Sequence, residues 1–124
     1  MGQVTFKNVS KSFGSTNIID GINLEIHNSE FLVLLGPSGC GKSTTLRLLA
    51  GLETVSSGTI SIDGRDVTEF EPRERDIAMV FQNYALYPTM TVAQNIGFGL
   101  KAKQISPKLI KEKVYEIGHL LGLT

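Results

Sequence analysis

The sequence predicts an α/β fold built around a phosphate-binding loop, and three adjacent features indicate it. The apolar run Phe31 to Leu35 is typical of a strand buried on both faces of a parallel sheet. Residues 36–44 follow directly and read Gly-Pro-Ser-Gly-Cys-Gly-Lys-Ser-Thr, which fits the motif G-x-x-x-x-G-K-[ST]. Residues 44–50 then predict a helix, and Gly51 suits its C-terminal end. The motif requires this order of strand, glycine loop and helix.

The residue types of this loop suit the binding of a polyphosphate. Glycines let several backbone N–H groups point inward, and the helix that begins near Lys42 adds unpaired N–H groups and the positive end of its dipole. Lys42 can reach the β- and γ-phosphates of a nucleotide, and the Ser43 hydroxyl can ligate a bridging Mg²⁺. A turn that merely joins strand to helix would require neither side chain. The candidate nucleotide-binding residues of the loop are Ser38, Gly39, Cys40, Gly41, Lys42, Ser43 and Thr44.

Composition narrows the class of protein. The chain has 124 residues, enough for one domain, and its 12 basic and 12 acidic side chains give a net charge of zero. A neutral chain gives no support for nucleic acid or an anionic membrane as an electrostatic partner. Its apolar runs are far shorter than the roughly 18 residues of a membrane span, and its N-terminus does not resemble a secretory signal. With a single cysteine it can form no internal disulfide, so we expect a soluble, cytosolic protein.

Two alternating segments precede the apolar run. Residues 4–9 and 18–26 alternate apolar and polar side chains, as half-buried strands do, and residues 10–17 between them are rich in turn formers. We therefore expect two or three antiparallel strands before the phosphate loop.

Three further segments follow the loop helix. Residues 58–64 predict a short strand that ends in a tight turn at Asp63-Gly64. Residues 65–76 carry mixed charges and predict a solvated loop. The apolar run 77–81 predicts a second parallel strand beside Phe31 to Leu35.

The last third of the sequence predicts two helices. Thr91 is a suitable N-cap for a helix from Val92 to about Lys103, although the glycines within it weaken the pattern. Ser106 and Pro107 suit the cap and first turn of a helix from Lys108 to Leu121. Its apolar residues fall on one face: Leu109, Ile110, Val114, Ile117, Leu120 and Leu121.

Taken together, these residues resemble the ATP-binding cassette ATPases, and more closely the subunits that power bacterial importers of maltose, glycerol phosphate and related solutes. The resemblance covers the whole chain, and residues 79–88, which contain Phe81-Gln82, are its most specific part. It implies a P-loop NTPase of the ABC type with N-terminal antiparallel strands. The segments that carry it are residues 11–14, 36–44, 49–53, 57–58, 63–64, 73–75 and 79–88.

The resemblance also implies a division of the chain. Residues 1–90 correspond to the N-terminal part of the nucleotide-binding core, and residues 91–124 to the start of a helical subdomain. The Asp-Glu strand end, the Leu-Ser-Gly-Gly-Gln segment and the switch histidine of the family do not occur in these 124 residues. On this comparison Thr124 lies within the helical subdomain, and we expect the chain by itself to hydrolyse ATP slowly or not at all.

Individual roles follow from the same resemblance. Phe13 stands where an aromatic ring stacks on adenine, although it could instead be a core residue under a turn. Gln82 stands where an amide contacts Mg²⁺ and water near the γ-phosphate, so Lys42 and Gln82 are the catalytic candidates and Ser43 and Gln82 the metal ligands. The expected cofactors are ATP and Mg²⁺. Cys40 in the loop is a candidate for alkylation that bound ATP prevents, or else a small unreactive filler.

The resemblance further implies partners. The loop Tyr84-Pro88 is expected to receive a short helix of a membrane permease subunit, unless it packs into the domain's own core. A second ATPase subunit is expected to complete a homodimer, on the cytoplasmic face of the bacterial inner membrane. Two alternatives remain open: a soluble cassette ATPase of translation or DNA repair, and a non-catalytic nucleotide-binding module.

Overall fold

A computed structural model describes residues 2–124, which form two compact units: the described residues up to Met79, and Val80–Thr124. The first unit contains β1 (Val4–Phe13), β2 (Thr16–Ile26), α1 (Lys42–Ala50), β3 (Ser57–Ile62) and β4 (Arg65–Asp66), and then a 3-10 turn at Pro72–Glu74. The second unit contains α2 (Val92–Ala102) and α3 (Pro107–Leu120). The division predicted at residues 90 and 91 stays a prediction.

The strands of the described residues form one antiparallel sheet in the order β2-β1-β3-β4. Val4 pairs with Ile26 on one side and with Ile62 on the other, so β1 is a central strand. The buried core on this sheet also includes Leu48 of α1. The expected antiparallel strands before the loop are confirmed, and so is the turn at Asp63-Gly64, where both residues have positive φ.

A β-bulge at Asn8 sets which side chains of β1 face the core. Val4 and Phe6 are buried, but Asn8 has φ 50° and the pairing register shifts between Phe6 and Val9. The bulge is held by Asn23, whose side chain accepts a hydrogen bond from the Asn8 N–H at 3.0 Å. After the extra residue the buried positions become Val9 and Lys11, because the alternation has moved by one residue.

The two predicted parallel strands are absent from the described structure. Residues 31–35 and 77–81 have no strand hydrogen bonding, and Phe31, Leu35 and Val80 are 92%, 89% and 88% exposed. A strand is stable only when its backbone groups pair with a neighbouring strand, and the described sheet offers these segments no partner. These two segments have the apolar composition of a buried strand, but an apolar composition does not provide the neighbouring strand with which their backbone groups would pair.

The prediction of a solvated loop at residues 65–76 is wrong in part. This segment contains β4 and a 3-10 turn, and it buries Val67 in the core. It also buries Arg75, which is 2% exposed and donates hydrogen bonds to four backbone carbonyls. A guanidinium can be buried at this site because those oxygens satisfy its N–H groups.

In the second unit the helix starts are confirmed. The Thr91 hydroxyl accepts from the Gln94 N–H, and the Gln94 side chain accepts from the Thr91 N–H at 2.8 Å, which makes a capping box. In α3 the Ser106 hydroxyl accepts from the Leu109 N–H at 3.4 Å, and Pro107 is the first helical residue. Gly97 lets α2 and α3 approach closely, since a Cβ there would lie 3.0 Å from the Ile110 side chain.

Candidate nucleotide-binding site

The site is a loop that enters α1 through two glycines in the left-handed region. Gly39 has φ 82° and Gly41 has φ 98°, conformations that residues with a Cβ adopt only at a cost. Between them the Cys40 N–H donates to the Pro37 carbonyl at 3.2 Å and closes a turn. Gly41 also packs tightly on β2, because a Cβ there would lie 3.3 Å from the Ile19 side chain. The loop is thus fixed against the β1–β2 hairpin.

The first turn of α1 presents hydrogen-bond donors without acidic groups. Its residues are Lys42, Ser43 and Thr44. The N-cap residue is Gly41, and no side-chain hydrogen bond caps this end of the helix. The first N–H groups of a helix have no partner within it, and its dipole places partial positive charge there. Thr45 stabilises this end of the helix, since its buried hydroxyl donates to the Gly41 carbonyl at 2.8 Å. This end of α1 is therefore suited to an anion.

The Lys42 ammonium lies on the loop itself. It donates to the carbonyl of Gly36 and, at 3.3 Å, to the carbonyl of Pro37. Both acceptors are neutral backbone oxygens, so these contacts orient the side chain toward the loop without neutralising its positive charge. Ser43 is exposed beside it in the first turn of the helix. The loop and the first turn of α1 thus bring together one ammonium, one hydroxyl and several backbone N–H groups.

Phe13 lies in the same unit as this loop, at the end of β1. Phe13 is 46% exposed, so the alternative that it is a core residue under a turn is wrong. The Lys11 ammonium lies over the ring, 5.0 Å from its centroid. Phe13 pairs with Thr16 in the hairpin, and Lys11 pairs with Ile19, the residue on which Gly41 packs. The ring and the loop are thus connected through one hairpin.

Gln82 and the loop Tyr84-Pro88 belong to the second unit. Gln82 is exposed, and so are Tyr84, Leu86 and Tyr87. The loop is attached to α2 through Asn95, whose side chain accepts from the Tyr87 N–H at 2.9 Å and donates to its carbonyl at 3.2 Å. The Tyr87 ring also packs on Phe98 at 4.6 Å between centroids. These contacts hold an exposed apolar surface in place.

Sequence reasoning missed two basic residues of the first unit. Lys11 and Arg75 are both buried, and neither lies in a pattern that predicts burial. The bulge at Asn8 is the reason for Lys11, since strict alternation from Val4 places residue 11 on the opposite face. No signal in the mixed-charge segment singles out Arg75 from its neighbours Arg65 and Arg73.

Comparison with known proteins decides the family. The family model described as ABC transporter matches residues 19–124. The chain belongs to the ABC transporter family. The fold class is accordingly that of its P-loop nucleotide-binding domain, and the resemblance inferred from the motifs is confirmed.

Nearly the whole chain is also similar to curated relatives. A sn-glycerol-3-phosphate import ATP-binding protein of Burkholderia mallei is 54% identical over 124 residues, covering 99% of this chain and 34% of the relative. The protein of the same name in Rhizobium johnstonii is 50% identical over 123 residues, covering 99% and 33%. The diacetylchitobiose uptake system ATP-binding protein of Streptomyces coelicolor is 55% identical over 126 residues, covering 100% and 33%. The chain thus spans about a third of the length of these relatives.

Among residues 2–124, no helix has both the length and the apolar character needed to cross a membrane.

Proposed function

We propose that the loop of residues 36–44 binds the phosphates of ATP together with Mg²⁺. The observation that carries this proposal is the position of the Lys42 ammonium, which lies on a glycine-turn loop beside the uncapped start of α1. The donor set fits a polyphosphate, because the N–H groups and the ammonium donate and the loop contains no carboxylate. In this proposal the backbone of Ser38 to Thr44 holds the phosphates.

As ligands of the Mg²⁺ we propose Ser43 and Gln82, as the family resemblance implies, with the phosphates as further ligands. No group of three or more His, Cys, Asp or Glu side chains in residues 2–124 is placed to hold a metal ion. A hydroxyl and an amide oxygen suit Mg²⁺, which usually keeps substrate phosphates and waters among its ligands. When bound, the ion would neutralise charge on the phosphates. Gln82 adds an oxygen without adding charge, so it can respond to the presence of the γ-phosphate.

For the complete protein we propose ATP hydrolysis that drives solute import. The support is the family and the function that the names of the relatives state: import ATP-binding proteins for glycerol phosphate, and an uptake ATP-binding protein for diacetylchitobiose. A carbohydrate-like solute is the corresponding proposal for this protein. Lys42 and Gln82 are the proposed catalytic residues: Lys42 stabilises charge that develops on the phosphates, and Gln82 orients water.

The partners proposed are a second copy of the ATPase subunit and membrane permease subunits. The exposed Tyr84, Leu86 and Tyr87 support the second partner, since large apolar side chains held on a surface favour an interface. The protein would then be peripheral, on the cytoplasmic face of the bacterial inner membrane. Gln82 lies two residues before this loop, so γ-phosphate contact and permease contact would be coupled over a short stretch of chain.

Calorimetric titration of the full-length protein with MgATP tests the proposed binding site. Lys42→Ala is expected to weaken binding about 100-fold, since it removes charge-assisted hydrogen bonds to phosphate. Lys7→Ala removes an exposed lysine of β1 and is the matched control, which should leave the affinity within about twofold. Equal affinities for Lys42→Ala and wild type would refute the site.

The coupling is tested separately with Gln82→Ala. This variant should retain nearly the ATP affinity of the wild type but lose the link between hydrolysis and uptake in reconstituted transport. Normal transport by Gln82→Ala would show that the proposed coupling is wrong.

A further inference from the structure

Lys11 is a buried lysine with an unusual set of neighbours. The residue is 9% exposed, and its ammonium lies 3.9 Å from a Glu53 carboxylate oxygen and 5.0 Å from the centroid of the Phe13 ring. Lysine is seldom buried, because removing an ammonium from water is costly unless nearby groups compensate its charge. Here the compensation comes from one carboxylate and one aromatic face.

The backbone determines this placement. The bulge at Asn8 turns Lys11 to the buried side of β1, and Phe13 lies two residues later at the end of the strand, where its ring meets the Lys11 ammonium. The ammonium therefore covers one face of the ring. A cation in this position is attracted by the negative face of the aromatic ring, and the attraction is greater where water is excluded.

Glu53 connects this pair to the helix that the phosphate loop begins. Its second carboxylate oxygen lies 3.6 Å from the guanidinium of Arg47, in the last turn of α1. Arg47 also accepts the Leu52 N–H on its carbonyl at 2.9 Å, which fixes the chain just before Glu53. A continuous series of charged groups thus runs from α1 through Glu53 and Lys11 to the Phe13 ring.

We propose that Lys11 is a positioning residue for the purine base of the nucleotide. It holds the Phe13 ring from one face, so that the exposed part of the ring is available in a fixed orientation for stacking. The inference rests on the proposed binding of ATP and on the stacking of its base on Phe13 that the family resemblance implies. It adds that the base contribution to affinity depends on Lys11 whereas the phosphate contribution does not. A flat base gains most from a ring that is already immobilised, because less conformational freedom is lost on binding.

The test compares two ligands on the full-length protein, MgATP and magnesium tripolyphosphate, which lacks the base and the ribose. Lys11→Met keeps the aliphatic stem and removes the ammonium, and it should weaken MgATP about fivefold. It should leave tripolyphosphate within about twofold, while Lys11→Arg, which retains a cation, should keep both affinities near those of the wild type. Equal losses on both ligands would show a merely structural role and overturn the proposal, as would unchanged ATP affinity.

A double-mutant cycle sharpens the result. In a Phe13→Ala background, Lys11→Met should cause no further loss of ATP affinity, because the ring on which it acts is gone. Independent losses would refute the inference. Glu53→Gln serves as a second variant if Lys11→Met fails to fold, and the same ATP-selective loss is expected of it.

The outcomes also separate this inference from the proposed function. A wild-type protein that binds neither ligand refutes the phosphate site itself. Wild-type binding of tripolyphosphate as tight as that of MgATP leaves the phosphate site intact, but it overturns the role of Lys11.

Discussion

Arg75 gives the sharpest test of how the first unit holds the phosphate-loop helix. Its guanidinium donates to the carbonyls of Leu48 at 2.8 Å and Leu49 at 3.1 Å, at the C-terminal end of α1. It donates also to Thr68 at 3.1 Å and Phe70 at 3.0 Å in the following segment. Burial lowers the pKa of Arg75. The ordinary pKa of a guanidinium is so far above neutral pH that the group stays charged there. One side chain thus joins α1 to the segment after β4.

Replacing Arg75 by Met removes all four donors while retaining apolar length. All four carbonyls lose their side-chain partner, but the Leu48 carbonyl keeps the Gly51 N–H at 3.2 Å, so three acceptors must be satisfied in another way. An unsatisfied buried acceptor costs about 1–3 kcal/mol, and removing the buried charge returns several kcal/mol of desolvation. We therefore expect Arg75→Met to lower the free energy of unfolding by about 3 kcal/mol.

The measurement is urea denaturation of the full-length protein, followed by circular dichroism, with MgATP absent. Arg73→Met is the matched control, because Arg73 is exposed and pairs with the exposed Glu71 at 3.0 Å. It should change the free energy by less than about 0.5 kcal/mol. Arg75→Lys should also destabilise, since one ammonium cannot reach carbonyls in two directions. If Arg75→Met were as stable as Arg73→Met, the four-carbonyl account would be refuted.

Three further predictions concern other parts of the first unit. Gly58→Ala should destabilise by about 2–4 kcal/mol in urea denaturation, because Gly58 has φ 87° and a Cβ would overlap the carbonyl group of Asn8. Alkylation of the exposed Cys40 by N-ethylmaleimide should slow at least about tenfold in MgATP, since the proposed phosphates cover the loop. The Thr68 hydroxyl and N–H lower the pKa of Asp66, so Thr68→Val should raise that pKa in an NMR titration. The ionised Asp66 favours the folded state above its unfolded pKa of about 3.9, and this contribution is lost as the pH falls through the lower folded value.

Each of these predictions has a control or a contradicting outcome. Gly14 has φ 60°, and a methyl group at its Cα would have nothing within 4 Å, so Gly14→Ala measures backbone strain alone. Equal destabilisation at both glycines would show that overlap with Asn8 contributes nothing. Equal labelling of Cys40 with and without MgATP would contradict protection by phosphate. An unchanged pKa of Asp66 in Thr68→Val would show that the hydroxyl does not stabilise its charge.

Local features were predictable because a few neighbouring residues create them. The Thr91 and Ser106 caps, the Asp63-Gly64 turn and the Gly51 end of α1 all depend on contacts within about four residues. The G-x-x-x-x-G-K-S spacing likewise fixed where the loop meets its helix. The roles proposed for its individual residues stay predictions.

Features that depend on distant partners were not predictable in the same way. The alternation of β1 indicated the right strand, but its phase changes at Asn8, where Asn23 holds the bulge. The apolar run from Phe31 to Leu35 has the composition of a buried strand, yet no strand of the described residues pairs with it. Strand formation is a property of a pair, and a single segment cannot reveal whether its partner is present.

By itself, then, the sequence determined the family, the phosphate-loop motif and the ends of the helices, because each depends on residues that are close along the chain. Tertiary structure decided that Lys11 lies against the Phe13 ring and that Arg75 joins α1 to the segment after β4. Both are charged residues whose burial depends on groups distant in sequence, as in the pair of Lys11 with Glu53. Whether a charge can leave water is decided by the partners that the fold brings to it.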